Sequence, residues 1–485
     1  MAVLLLTLVV LYGRSRVLAS YRASAGDGLQ YYQLAQSLRL DGRLAFARPP
    51  APLAHGRLPG YPLFLAALTA VGGTAAGRGA EGREPLTLAS HLRWATGANL
   101  VLDGGSALLT ALLLARFGQR RRVALAAGLL VLVCPVLVFL SAYGLSESLA
   151  TFLTVAALTL ALLAVGEPRA RRCPVGASFL AGAVAGLGLL VRVDALTTLP
   201  AAWLAFRLLG GARWRRLVLA HALGVLLVFA PWPLRNLLHI GAPHVLGAPW
   251  LDQSGRALPL GMMRWMLTFG RGAPGESLLI LRVAESQALD PRDPGVLTPT
   301  MYDTQEERAR IAALYAYYNR WGLAAADWQF SALARTRLQR APLRTLLLLP
   351  LQRLRWLWSP LPAHELPMKV AWLGLPEWRW AYDALGVLLL LPGLWGATRL
   401  WRQGPRGRAL VLVFGAAVVG RSAFYCYAHP FPVQRYLAEA MPALLALSAC
   451  ALPQRPGDPR PIVDYWMVLD RPTPGKNARP PDMKL

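Results

Sequence analysis

Lysine is almost missing from this chain: of 51 basic residues only Lys369, Lys476 and Lys484 are lysines, which leaves 48 arginines. A G+C-rich genome explains that preference as readily as a demand for guanidinium groups. Cysteine is scarce too, and the 4 present, Cys134, Cys173, Cys426 and Cys450, form neither a CxxC pair nor a Cys/His cluster with metal-ligand spacing. They read as packing residues. The 7 histidines include no HExxH pair, and no GxxxxGK[ST] or GxGxxG stands at a strand-to-helix junction. ATP hydrolysis and Rossmann chemistry lose their usual sequence support. Charge is the third shortage. Charged residues make up 16% of the 485, apolar residues 55%, and the mean hydropathy is +0.39. Length alone would suggest about three soluble domains, but so few polar side chains cannot cover them. The chain reads as a polytopic membrane protein.

What is abundant is arginine, and its location carries the information. The excess of 51 basic over 25 acidic residues, +26, would point to nucleic acid on a soluble chain. Here it follows the hydrophobic runs. A crossing helix needs about 20 apolar residues, and the candidates are residues 2–20, 94–114, 123–141, 148–165, 175–191, 194–210, 217–234, 381–400, 409–427 and 436–452. Arginine clusters at 116–122, 169–172, 213–216 and 402–408 each follow an even-numbered span. With those loops cytoplasmic by the positive-inside rule, the N-terminus and tail are cytoplasmic as well. The other face receives residues 21–93, the turn 142–147, 192–194, the long segment 235–379, and 429–435. The excess charge then orients helices and meets anionic lipid, and no nucleic-acid partner is expected.

Two apolar stretches do not count as spans. Residues 61–71 are too short, and a crossing there would put the 116–122 arginines outside, so they are expected to be re-entrant or surface-lying. In 343–358, Arg344, Arg353 and Arg355 interrupt leucines and tryptophans, which reads as an interfacial amphipathic helix with Trp356 and Trp358 at headgroup level. The first span is short, its continuous apolar run being 2–12 with Arg14 and Arg16 beyond. The tail 453–485 is rich in Pro, Asp and Arg and is expected to be mostly disordered, with one apolar patch at 465–469. The organisation is a transmembrane module (1–234) holding a structured first outer loop (21–93), an outer segment (235–380), C-terminal transmembrane helices (381–452) and the tail.

Function should lie where polar groups collect on one face. The first outer loop opens Gly26-Asp27-Gly28-Leu29-Gln30-Tyr31-Tyr32. Asp27 can cap the helix that follows, or it can stand above the bilayer as a base for an acceptor hydroxyl. Glu147, in Leu145-Ser146-Glu147-Ser148, suits a helix start through the macrodipole, or joins Asp27 in holding an acceptor and, with a divalent metal or an arginine, a phosphate. The outer arginines are Arg57, Arg192, Arg235 and Arg435. Each can meet lipid headgroups or fork onto a phosphate, which guanidinium binds with two parallel hydrogen bonds. Asp103, near the middle of the second span, defaults to a functional hypothesis. Asn99 and Ser106 lie at helical spacing from it and favour a hydrogen-bonded structural acid. The long outer segment is the expected acceptor-selecting part, and Asp303 with Glu306 and Glu307 looks like a helix start.

Five segments, in this order on one face, resemble the GT-C superfamily of polyprenyl-phosphate-sugar-dependent glycosyltransferases. The likeness is to the glycosyltransferase family 39 type, which includes protein O-mannosyltransferases and lipid A aminoarabinose transferases. They are Gly26-Asp27 with Tyr32 and Ala35; Arg57-Leu58-Pro59-Gly60-Tyr61-Pro62; Leu145-Ser146-Glu147; Pro231-Trp232 with Arg235-Asn236; and Arg435-Tyr436 with Pro442. The resemblance implies an all-α GT-C-like bundle of about ten transmembrane helices in a bacterial inner membrane, with the active site facing the periplasm. It implies an inverting sugar transfer from a polyprenyl-phosphate donor to a lipid, glycan or protein acceptor. Asp27 matches the family's first-loop acid, the expected catalytic base, and Glu147 its second acidic position. Arg57 falls where the lipid-linked phosphate is expected, with Arg192, Arg235 and Arg435 as further phosphate ligands and Tyr32, Tyr61 and Tyr436 as substrate-binding residues. Two departures stand out: Gly28 follows Asp27 where relatives carry an Asp-Glu pair, and Pro59-Gly60 replaces Pro-Pro. A lipid-linked saccharide flippase is the alternative from another class, although no internal two-fold repeat is evident. A non-catalytic scaffold is the third reading.

Overall fold

The computed structural model describes residues 27–46, 54, 57–75, 88–142, 144–166, 173–240, 260–271, 297, 299–321, 323–358, 379–432 and 434–453. The expected first span at 2–20, Gly26, and the tail beyond 453 lie outside the described residues. Every regular element among those described is helical. The elements used below are α1 (Asp27–Asp41), α2 (Gly60–Ala75), α3 (Leu88–Arg116), α4 (Arg121–Val133), α5 (Pro135–Ala142), α6 (Glu147–Gly166), α7 (Pro174–Val191), α8 (Thr198–Leu209) and α9 (Trp214–Phe229). They continue with α10 (Pro231–Ile240), α11 (Leu260–Met266), α12 (Gln305–Trp321), α13 (Leu323–Arg340), α14 (Leu349–Trp358), α15 (Arg379–Trp401), α16 (Pro405–Ala428) and α17 (Met441–Ala449).

The chain is an all-α, polytopic membrane protein. Among the described residues, five helices are long and apolar enough to cross a bilayer: Ser90–Arg116, Glu147–Val165, Pro174–Val191, Gly211–His239 and Pro405–Ala428. They coincide with the expected spans 94–114, 148–165, 175–191, 217–234 and 409–427, and α15 covers 381–400. Three other expected spans are interrupted. The stretch 123–141 is two helices, α4 and α5, divided at Cys134 because Pro135 has no N–H to continue the ladder. The stretches 194–210 and 436–452 begin as tight 3₁₀ turns, Val193–Thr197 and Gln434–Ala440, before α8 and α17. Those two turns hold Asp194 and Glu439, whose buried carboxylates are drawn into an ion-pair network described below.

Small residues set a close helix contact. On α7, Ser178, Gly182 and Gly186 recur every fourth residue and face α9, meeting Leu217, His221 and Val225 in turn. A Cβ added at Gly182 would lie 2.0 Å from the His221 carbonyl oxygen, and one at Gly224 would lie 2.2 Å from that of Phe179. On the opposite face of α9, Leu219, Leu223 and Leu227 are exposed at four-residue spacing, an apolar stripe suited to acyl chains. We expect Gly224→Leu to separate the pair and cost about 1–3 kcal/mol, the usual penalty of overpacking. The check is a lower unfolding midpoint of the purified protein in detergent.

Helices α11, α12 and α13 build a core of their own. Trp265 of α11, fully buried, packs on Phe269 in the turn that follows, Tyr315 of α12 and Phe330 of α13, and Phe431 from the loop after α16 joins them. The expected helix start at 303–307 is realised. Thr304 Oγ1 accepts from the Glu307 amide at 3.2 Å, while Glu307 Oε2 accepts from the Asp303 amide at 2.5 Å. Glu307 also pairs with buried Arg337 at 2.8 Å. Residues 344–358 are helical, as expected, but Arg353 points inward. Buried, it donates to the carbonyls of Leu267 (2.5 Å), Gly270 (2.8 Å) and Cys426 (2.9 Å), tying α14 and the turn after α11 to the end of α16.

Candidate active site

The first residue of α1, Asp27, is where distant parts of the chain meet. Its Oδ1 accepts from Arg57 Nη2 at 2.5 Å and its Oδ2 from Arg435 Nη2 at 3.2 Å. The carboxylate therefore faces guanidinium groups 30 and 408 residues away. Burial alone would raise the Asp27 pKa, but the charges of Arg57 and Arg435 prevail and hold it at about 2. Arg57 is steadied from other sides: Gln30 Oε1 accepts from its Nε (2.9 Å) and Nη2 (2.7 Å), and its guanidinium lies 5.3 Å from the Tyr31 ring centroid.

Gly60 explains how the first-loop motif reaches this place. Its Cα rests against the backbone where α7 ends, and a Cβ there would lie 2.7 Å from both the carbonyl carbon and oxygen of Leu190. A second proline after Pro59 would collide in the same way, so the Pro-Gly departure is a requirement of packing. The contact sets Tyr61, fully buried, edge-on to Tyr31 at 4.9 Å, and Tyr31 reaches Ser146 at 3.4 Å.

Beneath lies a second, deeper set of charges. Arg192, just after α7, donates to Glu147 through Nη1 at 3.0 Å and to Asp194 through Nη2 at 3.0 Å, and its Nε lies 3.0 Å from Glu439 as an ion pair. Arg421 of α16 bonds Asp194 at 2.7 Å and also pairs with Glu439. Tyr425, one turn on, donates its hydroxyl to Asp194 and stacks on Tyr436 at 4.4 Å. Two guanidiniums thus serve three carboxylates, and Glu147 Oε2 is buried without a hydrogen-bond partner. The two layers differ in access. Asp27, Arg57 and Arg435 side chains are 33%, 21% and 33% exposed, whereas Arg421, Asp194 and Glu439 are at 1–2%. The upper layer can meet a ligand; the lower one holds it in place.

The tyrosines expected to bind substrate separate. Tyr436 lies in the site, between Arg435 (5.3 Å from its ring) and Arg192 (5.8 Å), with its hydroxyl 3.3 Å from His429 Nε2. His429 Nδ1 accepts the Phe431 amide at 3.1 Å, so Nε2 carries the proton. Burial, with Arg435 and Arg353 nearby, lowers the His429 pKa to about 3, so the ring is neutral. Tyr32 instead packs edge-on against His91 at 5.0 Å; its neighbour Tyr31 faces the arginines. Arg235 bonds the Ala54 carbonyl at 2.9 Å and Asn236 at 2.8 Å over the Trp232 ring, and no ion pair joins it to the site acids among the described residues. Asp103 is buried, while Asn99 and Ser106 bond the Ser141 and Leu102 carbonyls. No group of three His, Cys, Asp or Glu side chains among the described residues has the arrangement to hold a metal. Each of the site acids is matched by arginine, so the donor set fits a divalent ion poorly.

Sequence reading missed Arg421, Tyr425 and Glu439. A usable signal existed, since Arg421 and Glu439 are charged residues inside expected spans 409–427 and 436–452, and such residues default to function.

No protein-family model and no curated protein matches the chain. Its structure aligns with that of the Archaeoglobus fulgidus oligosaccharyltransferase in complex with Zn and sulfate (16% identity, 88% of this chain and 45% of that one, TM-score 0.44). It also aligns with the same organism's AglB in complex with an inhibitory peptide and a dolichol-phosphate (15%, 92% and 50%, TM-score 0.43). A third alignment is with ArnT from Cupriavidus metallidurans bound to undecaprenyl phosphate (18%, 92% and 77%, TM-score 0.39). The chain spans about half the length of the archaeal enzymes. It is to these proteins that the chain is similar, at 15–18% identity.

Proposed function

We propose that this chain is a GT-C-type membrane glycosyltransferase. It moves a sugar from a polyprenyl-phosphate donor to a hydroxyl of a lipid, glycan or protein acceptor, on the periplasmic side of a bacterial inner membrane. The observation that carries this reading is the accessible carboxylate of Asp27 set between Arg57 and Arg435. One base and a two-guanidinium anion cradle are what an inverting displacement on a sugar phosphate needs. In the step, the acceptor oxygen forms a bond to the anomeric carbon as its proton passes to Asp27. The bond from that carbon to the phosphate oxygen breaks, its electron pair stays on the departing phosphate, and Arg57 and Arg435 neutralise the developing charge. Arg192 pairs with Glu147, whose Oε2 is buried without a hydrogen-bond partner in the deeper layer. No step is assigned to a metal.

Replacing Arg57 by alanine tests the cradle. We expect the donor Michaelis constant to rise roughly 30-fold, the equivalent of losing about 2 kcal/mol of charge-assisted bonding, with unfolding little changed. Transfer of radiolabelled sugar by the purified protein reads this, and an unaltered donor constant removes Arg57 from the phosphate site.

A further inference from the structure

Asp27 and the donor phosphate have a conflict that the reading above leaves unresolved. Both oxygens of the carboxylate are already engaged by the two guanidiniums assigned to the phosphate. A base so held cannot accept a proton readily, since cationic neighbours stabilise its ionised form. Nor can the cradle receive a phosphate without giving up the carboxylate. The deeper arginines offer no substitute. Arg192 has all its nitrogens on Glu147, Ser146, Asp194, Glu439 and Tyr425, and Arg421 is fully buried between Asp194, Glu439 and the Tyr436 carbonyl.

We propose that the Arg57–Arg435 pair is a single anion site which the Asp27 carboxylate and a lipid-linked phosphate occupy in turn, so that arrival of the donor frees the base. Three observations support exchange over a fixed ion pair. The cradle stands without Asp27, because Gln30 and Tyr31 hold Arg57 and the Tyr436 ring lies beside Arg435. Arg435 is incompletely used: it gives Asp27 one bond at 3.2 Å, and its Nε is buried with no hydrogen-bond acceptor. A phosphate, with more acceptor oxygens than a carboxylate, can take the fork that Asp27 leaves open. Finally, this is the accessible layer of the site, with Asp27 and Arg435 each one-third exposed. Coupling of this kind protects the donor: the base is competent only when the phosphate is seated, and an empty site holds its own counter-ion. The inference rests on the glycosyltransferase reading and adds an order of events to it.

The exchange makes a prediction opposite in sign to that for an ordinary ligand residue. The full-length protein is placed in phosphatidylcholine nanodiscs, and binding of undecaprenyl phosphate is followed by its intrinsic tryptophan fluorescence. Asp27→Asn and Asp27→Ala are expected to bind about tenfold more tightly than wild type, a gain of about 1.4 kcal/mol. Arg57→Ala and Arg435→Ala bind more weakly. Affinity in both Asp27 variants equal to or below that of a wild type that does bind overturns the exchange while leaving the donor reading intact. Absence of binding in every form, or binding indifferent to both arginines, overturns the donor reading and the exchange together. Equal tightening toward phosphatidylglycerol overturns the assignment to the donor in favour of a general lipid headgroup. The alanine variant guards against an effect peculiar to the asparagine amide.

Discussion

Asp27→Asn is expected to lose sugar transfer by a factor of roughly 10² to 10⁴, the range contributed by a positioned general base, while remaining folded. The substitution keeps the shape of the side chain and its place at the start of α1, but an amide cannot take the acceptor proton. Single-turnover transfer with saturating labelled donor reads the loss. Turnover within a few-fold of wild type would remove Asp27 from the role. The same residue carries a pH signature of stability. Its pKa in the folded protein, about 2, lies below the ordinary 3.8 because the charges of Arg57 and Arg435 outweigh burial. A depressed carboxylate pKa stabilises the fold above the unfolded value, and that contribution fades as pH falls from about 4 to about 2. Unfolding of wild type should therefore become easier over that acid window. Asp27→Asn, with no group to titrate, should lack this component; identical acid profiles would show that the pair does not contribute.

Removing Arg421 is expected to have the largest effect on stability. It is buried between Asp194 and Glu439, themselves 1% exposed, and its Nε donates to the Tyr436 carbonyl at 2.5 Å. Arg421→Ala leaves Asp194, Glu439 and Glu147 sharing Arg192 alone. Uncompensated buried charge of this kind costs about 3–5 kcal/mol. The variant should unfold at a lower temperature in detergent and lose activity in proportion to the folded fraction. A double replacement, Arg421→Met with Glu439→Leu, removes one charge of each sign and should recover much of the loss, because desolvating an ion pair offsets most of its attraction. If the double variant is no more stable than Arg421→Ala, the loss comes from packing around α16 and not from charge.

Much of this was legible from the sequence. The shortage of charge and the length of the apolar runs required a membrane bundle, since a helix alone satisfies its backbone in lipid. The chain singled out Asp27, Arg57, Glu147 and Arg435 as charged residues of one face, and the structure brings Asp27, Arg57 and Arg435 together. Local pattern also gave the helix start at Asp303–Glu307, because first-turn acids act within a few residues, and the structure adds the Thr304 cap. Partners were less legible. The adjacent Tyr31 and Tyr32 look alike in the chain, and the roughly 100° turn between helical neighbours sends one toward Arg57 and the other toward His91. Pro59-Gly60 read as a departure from a motif until the backbone at Leu190 explained it. Arg421 and Glu439 passed as exceptions within apolar segments, because hydropathy averages over a window whereas an ion pair is made by two atoms.

By itself the sequence determined the all-helical membrane class and the placement of most hydrophobic segments, because these follow from local composition and periodicity. Only the tertiary structure decided which charge meets which. Asp27 joins Arg57 and Arg435, Arg192 joins three acids, and Arg235 stands apart. Ion pairs across hundreds of residues leave no periodic trace in the chain. They are set by helix packing, and here by glycines whose missing side chains let backbones touch.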